Sequence, residues 1–302
     1  MKETVNRYAV ITAYFLIYVV WGSTYYFIGV ALQGIPPFLL GALRFTVAGI
    51  ILLAACRFRG ERVFDLRLIR RSAVSGIVLL FVDMAVIMLA QRYVSSSLVA
   101  IVASSTAVWI MLLDAPMWRH NFRNLPAVGG VLLGFAGVTM LYVEQLREGE
   151  ALQRHGEYGI LLLIVGCVSW ALGTLYTKYR SSEVENVYAF SGAAWQMVFA
   201  SLAFWMCACV TGEWVETDWR AVSVWSWSAL AYLVTCGSIL AYTAYVWLLK
   251  VRPATEVATH AYVNPVVAVV VGVGFGGEHV SAVQLAGLAV ILVSVMLVRC
   301  RR

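Results

Sequence analysis

Ten apolar stretches, each about as long as a bilayer's hydrocarbon core is thick, constrain this sequence more than any other feature. A helix needs roughly 20 apolar residues to cross a membrane. Charged residues make up only 13% of the 302-residue chain and cluster between the stretches, while 62% of residues are hydrophobic, too many for a soluble domain to bury. We therefore expect an all-α membrane protein whose ten transmembrane helices cover about 8–30, 36–56, 72–91, 96–116, 125–143, 158–178, 187–211, 225–249, 254–275 and 282–299.

The segments between these stretches exclude several classes of function. None is long enough to fold as an ATPase or kinase module. The sequence has no H-E-x-x-H or G-x-S-x-G motif, and its six cysteines lack the spacing of metal ligands. Asp83 and Asp114 lie on adjacent stretches but at different depths, which argues against an aspartic protease dyad. We expect no catalytic residue, no metal, no cofactor and no enzymatic activity.

Lys and Arg residues fall mainly on one side of the predicted membrane. If the N-terminus is cytoplasmic, 17 of the 22 lie inside, four lie outside (Arg92, Arg147, Arg154 and Arg220), and Arg44 is inside a span. The positive-inside rule therefore predicts a multi-pass inner-membrane protein with both termini in the cytoplasm. The net charge of +6 reflects this bias and not nucleic-acid binding. The basic run at 57–71 is predicted to contact anionic membrane lipids.

The two halves of the chain resemble each other. Residues 92–113 align without gaps to residues 250–271 at an offset of 158, which also matches Gly129 to Gly287. The segment around Trp21 resembles the segment around Trp170. We therefore predict a first five-helix repeat at 1–143, a periplasmic connecting loop at 144–157, and a second five-helix repeat at 158–302.

Five helices per repeat have a geometric consequence. With an odd number of spans, the second copy crosses the membrane in the opposite direction to the first. Inverted repeats of this kind are typical of alternating-access transporters, whose substrate sites lie near the membrane midplane between the halves. The sequence therefore predicts a transporter built from two inverted five-helix repeats.

The opening of the chain resembles a known family. The segment at 18–53 reads YVVWGSTYYFIGVALQGIPPFLLGALRFTVAGIILL and carries a WGS, an IPP and an LRF…AG element. Together with the ten-span plan and the NP of the ninth stretch, these elements resemble EamA-type proteins of the drug/metabolite transporter superfamily. The amino-acid exporter (YddG-type) subgroup is the most similar. The resemblance implies ten helices in two inverted halves that export small metabolites.

Polar and aromatic side chains recur at helical spacing in several stretches. Such residues are costly in a spanning helix unless they face a partner or water. They are therefore predicted to line a central cavity, although packing between helices would produce the same pattern. The candidates are Tyr18, Trp21, Tyr25, Asp83, Ser105, Trp109, Trp170, Trp195, Gln196, Ser238, Tyr242, Tyr245, His260 and Asn264.

The ninth stretch combines a polar face with a helix breaker. His260 and Asn264 lie one turn apart, and Pro265 has no N–H to donate to the carbonyl of Ala261. The combination predicts a cavity wall with a hinge at Pro265. The alternative is that His260 and Asn264 bond across to another helix and never meet substrate.

Two charged residues lie inside predicted spans. Arg44 is expected either to have a structural role, paired with a carboxylate or helix carbonyls, or to bind a substrate carboxylate. Asp83 is a candidate proton carrier, a candidate acid for an ammonium group, or the partner of Arg44. Together with His260, it is the best candidate for a proton-sensitive step.

These features predict a monomeric secondary transporter that exports amino acids or similar small neutral or aromatic metabolites across the inner membrane. Aromatic and aliphatic walls with few fixed charges suit such substrates. Phosphorylated sugars would need several buried cations, and Arg44 is the only one available. The alternatives are an exporter of hydrophobic or cationic drugs, a membrane scaffold that transports nothing, and an intramembrane enzyme.

Overall fold

The computed structural model describes residues 7–61, 63–94, 96–147, 156–181, 189–276 and 282–299. These ranges are helical apart from short connections and contain no β-strand, which confirms the predicted all-α class. Both chain ends and most of the predicted connecting loop at 144–157 lie outside the described residues.

Ten long helical segments run through the described part of the chain. They are α1 (Arg7–Leu32), α2 (Pro37–Phe58), α3 (Leu66–Ala90), α4 (Ser96–Ala103 and Thr106–Leu113), α5 (Leu125–Arg147), α6 (Gly156–Tyr176, continued by Thr177–Ser181), α7 (Ala189–Val210), α8 (Val224–Val251), α9 (His260–Gly276) and α10 (Ala282–Arg299). Among these described segments, α1, α2, α3, α6, α7 and α8 are long and apolar enough to cross a membrane.

Two stretches predicted as single helices are interrupted in the structure. In α4, Ser104 and Ser105 form a turn in which Ser105 N donates to Val102 O at 3.0 Å. Before α9, the short helix Ala254–Val257 ends in a turn where Thr259 Oγ1 donates to Glu256 O at 2.7 Å. Ser and Thr favour such turns because their hydroxyls compete for backbone partners. Helix α9 itself continues through Pro265, and the second interruption lies one to two turns before this proline.

Within the described ranges, four helices contain π-helical segments that the sequence did not predict. They cover Leu16–Val20 in α1, Gly76–Val82 in α3, Thr177–Ser181 at the end of α6 and Leu233–Tyr242 in α8. The segments of α3 and α8 lie in the middle of their helices. A π-turn widens the helix and leaves backbone groups without their usual partners, and such segments occur frequently at functional sites.

Each of the main packing contacts joins a helix from α1–α5 to a helix from α6–α10. Helix α2 packs against α7, and α5 packs against α10. Helix α1 packs against α8 and α9, while α6 packs against α3 and α4. Small residues allow the close approach, as is common in membrane bundles. A Cβ on Gly22 of α1 would lie 2.5 Å from Cβ of Val267 in α9, and one on Gly41 of α2 would lie 2.6 Å from the Phe204 ring of α7.

Hydrogen bonds between distant helices define two ends of the bundle. At one end, Tyr14 Oη donates to Glu256 Oε1 at 2.9 Å. This end also carries most of the described Lys and Arg residues outside the helix interiors, and we call it the basic end. At the other end, Ser226 Oγ donates to Val30 O at 3.2 Å. We call it the opposite end.

Candidate functional site

A narrow cavity of about 60 Å³ lies in the middle of the bundle, between α1, α2, α3, α4, α6, α8 and α9. A buried water molecule needs roughly 10–15 Å³ of such space, so the cavity holds only a few waters. Its wall contains nine residues that the sequence had singled out, as well as Thr24, Phe45 and Met84, which it had not. The nine are Trp21, Tyr25, Arg44, Asp83, Trp170, Ser238, Tyr242, His260 and Asn264.

An aromatic cluster lies at the side of this cavity nearer the basic end. It consists of Trp21, Trp170, Tyr242 and His260, which line the wall, and Tyr245 behind them. The rings of Trp21 and Trp170 meet edge to face, with centroids 5.4 Å apart. Trp21 also lies 5.0 Å from the Tyr245 ring and 5.1 Å from the His260 ring. These contacts bring together rings from four helices and separate the cavity from the basic end.

The polar atoms of the aromatic cluster are bonded to the helices around it. Trp21 Nε1 donates to Gly237 O at 3.0 Å, and Trp170 Nε1 donates to Tyr245 Oη at 3.1 Å. Tyr242 Oη donates to Oε1 of Gln196 at 2.5 Å. These bonds fix the orientation of the rings, because a buried polar network is costly to break.

Arg44 projects into the cavity without an acidic partner. Its side chain is buried, and Nε donates to Ser238 Oγ at 2.8 Å. Nη1 lies 3.9 Å from the sulfur of Met84, and the guanidinium carbon lies 5.0 Å from the Phe45 ring centre. Among the described residues, no carboxylate lies within 4 Å of the guanidinium nitrogens, so the predicted pairing with a protein carboxylate is absent from this structure.

Asp83 lies in the same cavity wall, directly after the π-helical segment of α3. It is buried, and a Cβ built on Gly166 of α6 would lie 3.2 Å from its Oδ1. Within the described ranges, no side chain donates a hydrogen bond to the Asp83 carboxyl, and no cation lies within 4 Å of it. The cavity thus contains one acidic and one basic side chain that do not pair with each other.

Asn264 connects α9 to the π-helical segment of α1. With its amide oriented to match its neighbours, Nδ2 donates to the carbonyls of Ile17 at 3.2 Å, Tyr18 at 3.3 Å and His260 at 2.9 Å. Asn264 therefore bonds carbonyls of the π-helical segment of α1 across the helix interface, and it also lines the cavity.

Several predicted cavity residues lie away from the wall of this cavity. Tyr18 bonds Thr259 Oγ1 at 2.6 Å, nearer the basic end. Trp195 donates from Nε1 to Val63 O at 2.6 Å and packs on the Phe64 ring. Helical spacing could not identify these residues as lying outside the wall, because it shows which residues share a helix face but not which helix or cavity that face contacts. The other residues outside the wall are Ser105, Trp109, Gln196 and Tyr245.

Hydrogen bonds close the bundle on the basic side of the cavity. The bonds of Tyr14 and Tyr18 join α1 to the segment that precedes α9. A second group joins α4 to α6, where Tyr179 Oη donates to Asp114 Oδ1 at 2.5 Å. An opening on this side would have to break both groups.

Glu213 joins three segments at the opposite end. Its Oε2 accepts a hydrogen bond from Leu39 N at 2.9 Å, at the start of α2, and its Oε1 lies 4.0 Å from Nη2 of Arg92. Burial raises the pKa of this carboxyl above its ordinary value of 4.5, although the Leu39 N–H and Arg92 act in the other direction. A carboxylate at a helix N-terminus complements the helix dipole.

The structure contains no candidate metal site in its described part, where no three His, Cys, Asp or Glu side chains form a suitable group. The cavity wall itself offers hydrogen-bonding groups, aromatic rings, one acidic and one basic side chain for binding a ligand.

Known proteins resemble this chain over nearly its whole length. The chain is 33% identical over 287 residues to the "uncharacterized inner membrane transporter YedA" of Escherichia coli K12, covering 95% of this chain and 89% of that protein. It is 24% identical to a "probable amino-acid metabolite efflux pump" of Salmonella typhimurium, covering 92% and 90%. A solved crystal structure with 20% identity has a similar fold, with a TM-score of 0.77 and 97% of each chain covered. The model of the EamA-like transporter family matches residues 8–143 and 157–300, and the chain belongs to this family.

Proposed function

We propose that this protein is a secondary transporter that exports amino acids or similar small neutral or aromatic metabolites across the inner membrane. The observation that carries the proposal is the central cavity, which combines the aromatic cluster with one acidic and one basic side chain. Such a site suits small molecules that carry both an apolar side chain and balanced charges. The similarity to a probable amino-acid metabolite efflux pump supports the same substrate class.

The proposed architecture is ten transmembrane helices in two inverted five-helix repeats. The two family matches, at 8–143 and 157–300, correspond closely to the predicted repeats. If α1–α5 are equated with α6–α10, the packing of α1 on α8 and α9 corresponds to that of α6 on α3 and α4. The offset of 158 also moves Gly76–Val82 to residues 234–240, inside the π-helical segment of α8. These relationships support the inverted repeat.

Alternating access would proceed by exchanging contacts at the two ends of the bundle. In this structure the hydrogen bonds of Tyr14, Tyr18 and Tyr179 hold the basic end together. A state open at that end would release them and admit substrate to the cavity. The interruptions in α4 and before α9 adjoin these contacts and offer places where the helices bend.

The proposed orientation places both termini and the basic end in the cytoplasm. The Lys and Arg bias supports it, and the E. coli relative named as an inner membrane transporter supports the location. Single cysteines at Glu150 and Gly60 in a cysteine-free background test it with a membrane-impermeant maleimide. We expect periplasmic labelling at position 150 and not at position 60, and the reverse pattern would overturn the orientation.

Counterflow in proteoliposomes tests the function directly. Vesicles loaded with one unlabelled amino acid should accumulate the same labelled amino acid, and a panel of apolar and aromatic amino acids should define the preferred one. Labelled cationic drugs are run in parallel, since the alternative function is drug export. Exchange of drugs without amino acids would replace the proposal with that alternative. Exchange of neither class would favour a non-transporting role.

A further inference from the structure

An acidic and a basic side chain share the central cavity, yet neither has a charged partner in the described part of the protein. Arg44 bonds only the hydroxyl of Ser238 through Nε and touches the sulfur of Met84 through Nη1. Asp83 precedes Met84 in α3, so the acid and the guanidinium lie on neighbouring helices at similar depth. Both line the same cavity.

Leaving both charges unpaired is costly in a buried site. Direct pairing would relieve that cost, but no ion pair joins the two side chains in the described structure. A ligand that carries a carboxylate and an ammonium group relieves both charges at once. A ligand with only one charge leaves the other side chain unpaired.

We propose that Arg44 and Asp83 are the two poles of a zwitterion site, in which Arg44, assisted by Ser238, binds the α-carboxylate and Asp83 binds the α-ammonium of one substrate molecule. This inference rests on the proposed function and specifies its substrate class. The guanidinium presents a fork of donors that matches a carboxylate. The substrate side chain then lies against the aromatic cluster, in which Trp21 and Trp170 line the cavity.

Such a site would bind the carboxylate and the ammonium group of the substrate through different residues. Compounds that lack one of these two groups therefore test the proposal on the unaltered protein. L-Phenylalanine, phenethylamine and 3-phenylpropanoate share an aromatic ring and differ in their charged groups. Binding is measured as the shift in thermal unfolding temperature of the full-length protein in detergent, because a ligand of the folded state raises it. We expect phenylalanine to bind about tenfold more tightly than either analogue, since each analogue leaves a buried charge unpaired.

Variants of Arg44 and Asp83 then show which residue binds the carboxylate and which binds the ammonium group. Arg44→Gln should lose the preference for phenylalanine over phenethylamine, and Asp83→Asn should lose the preference for phenylalanine over 3-phenylpropanoate. A structural role for either residue would weaken all three compounds alike and would not produce this reciprocal pattern. Arg220→Gln and Asp218→Asn make the same chemical changes in the connection between α7 and α8 and should leave all three affinities unchanged.

The outcomes separate this inference from the proposed function. If counterflow shows amino-acid exchange while the unaltered protein binds the three compounds equally, the zwitterion site is wrong and the exporter stands. The site is also wrong if both variants keep the unaltered protein's preferences. If no amino acid is exchanged or bound, the proposed function itself fails.

Discussion

Trp21 and Trp170 meet edge to face in the middle of the bundle, with ring centroids 5.4 Å apart and an interplanar angle of 80°. They are also the two residues that the internal resemblance of the sequence aligns with each other. The proposed inverted repeat would bring such equivalent residues into contact only near the axis that relates its two halves. Each indole N–H is bonded to α8, that of Trp21 to Gly237 O and that of Trp170 to Tyr245 Oη.

The first prediction concerns Trp170. Trp170→Phe keeps a ring but removes the N–H that donates to Tyr245 Oη. Loss of one buried hydrogen bond is worth about 1 kcal/mol, so affinity for the preferred amino acid should fall about fivefold. Counterflow at several substrate concentrations measures this change. Trp225→Phe, on an exposed ring of α8, is the control and should behave like the unaltered protein.

The second prediction concerns the close approach of α1 and α9. Gly22→Ala places a Cβ 2.5 Å from Cβ of Val267, and neither atom can move without its backbone. The helices must separate, which we expect to lower the unfolding temperature and abolish most transport. Gly129→Ala is the matched control, since a Cβ there meets nothing within 4 Å. Equal unfolding temperatures for both variants would refute the close approach.

The third prediction concerns the closure of the basic end. Tyr14→Phe removes a hydrogen bond to Glu256 that is expected to exist only in the closed state. The loss of about 1 kcal/mol shifts the equilibrium toward the open state by about fivefold. A cysteine replacing the buried Ala258 should then react faster with an impermeant maleimide added at the basic end. Tyr158→Phe, at the start of α6 on the opposite side, should leave this rate unchanged.

The fourth prediction concerns Glu213, whose pKa is raised in the folded protein. Between the ordinary pKa and the raised one, the folded state holds more protons than the unfolded state, so stability falls as pH rises. Glu213→Gln removes this dependence. The unfolding temperature of the variant relative to the unaltered protein should therefore be higher at pH 8 than at pH 5. Glu216→Gln, an exposed neighbour, should show no such trend.

The fifth prediction concerns Asn264 and Pro265. Because the Asn264 amide bonds carbonyls of Ile17 and Tyr18, Asn264→Ala should lower stability and alter the transport rate more than the apparent affinity. Pro265→Ala should leave the protein folded and change the rate alone. A large loss of affinity in Asn264→Ala, with normal stability, would show instead that the amide meets substrate.

The sequence predicted the helical class and much of the cavity wall for a simple reason. Polar side chains are so costly in apolar helices that residues such as Asp83, Ser238 and His260 indicate a shared interior face. It was harder to predict which of these side chains reach the cavity. Tyr18 and Trp195 have the same helical spacing as the cavity residues, but they lie outside the cavity wall, where Tyr18 bonds Thr259 and Trp195 bonds the carbonyl of Val63.

The π-helical segments could not have been predicted from the sequence, because no residue pattern requires them. Their stability depends on partners from other helices, such as Asn264 beside Leu16–Val20. The turn that precedes α9 was also not predicted. Proline is an obvious breaker, whereas the turn at Thr259 depends on a hydroxyl competing for a backbone carbonyl.

The π-helical segments in the middle of α3 and α8 allow parts of these two helices to rotate. A π-turn contains one residue more than a turn of α-helix, and the position of this extra residue can shift along the helix. Each residue it passes turns by about 100° relative to the rest of the helix, while both helix ends stay in place. Asp83 directly follows one such segment, and Ser238 and Tyr242 lie within the other. A shift of the two π-helical segments along α3 and α8 would therefore rotate these side chains into or out of the cavity without unfolding either helix.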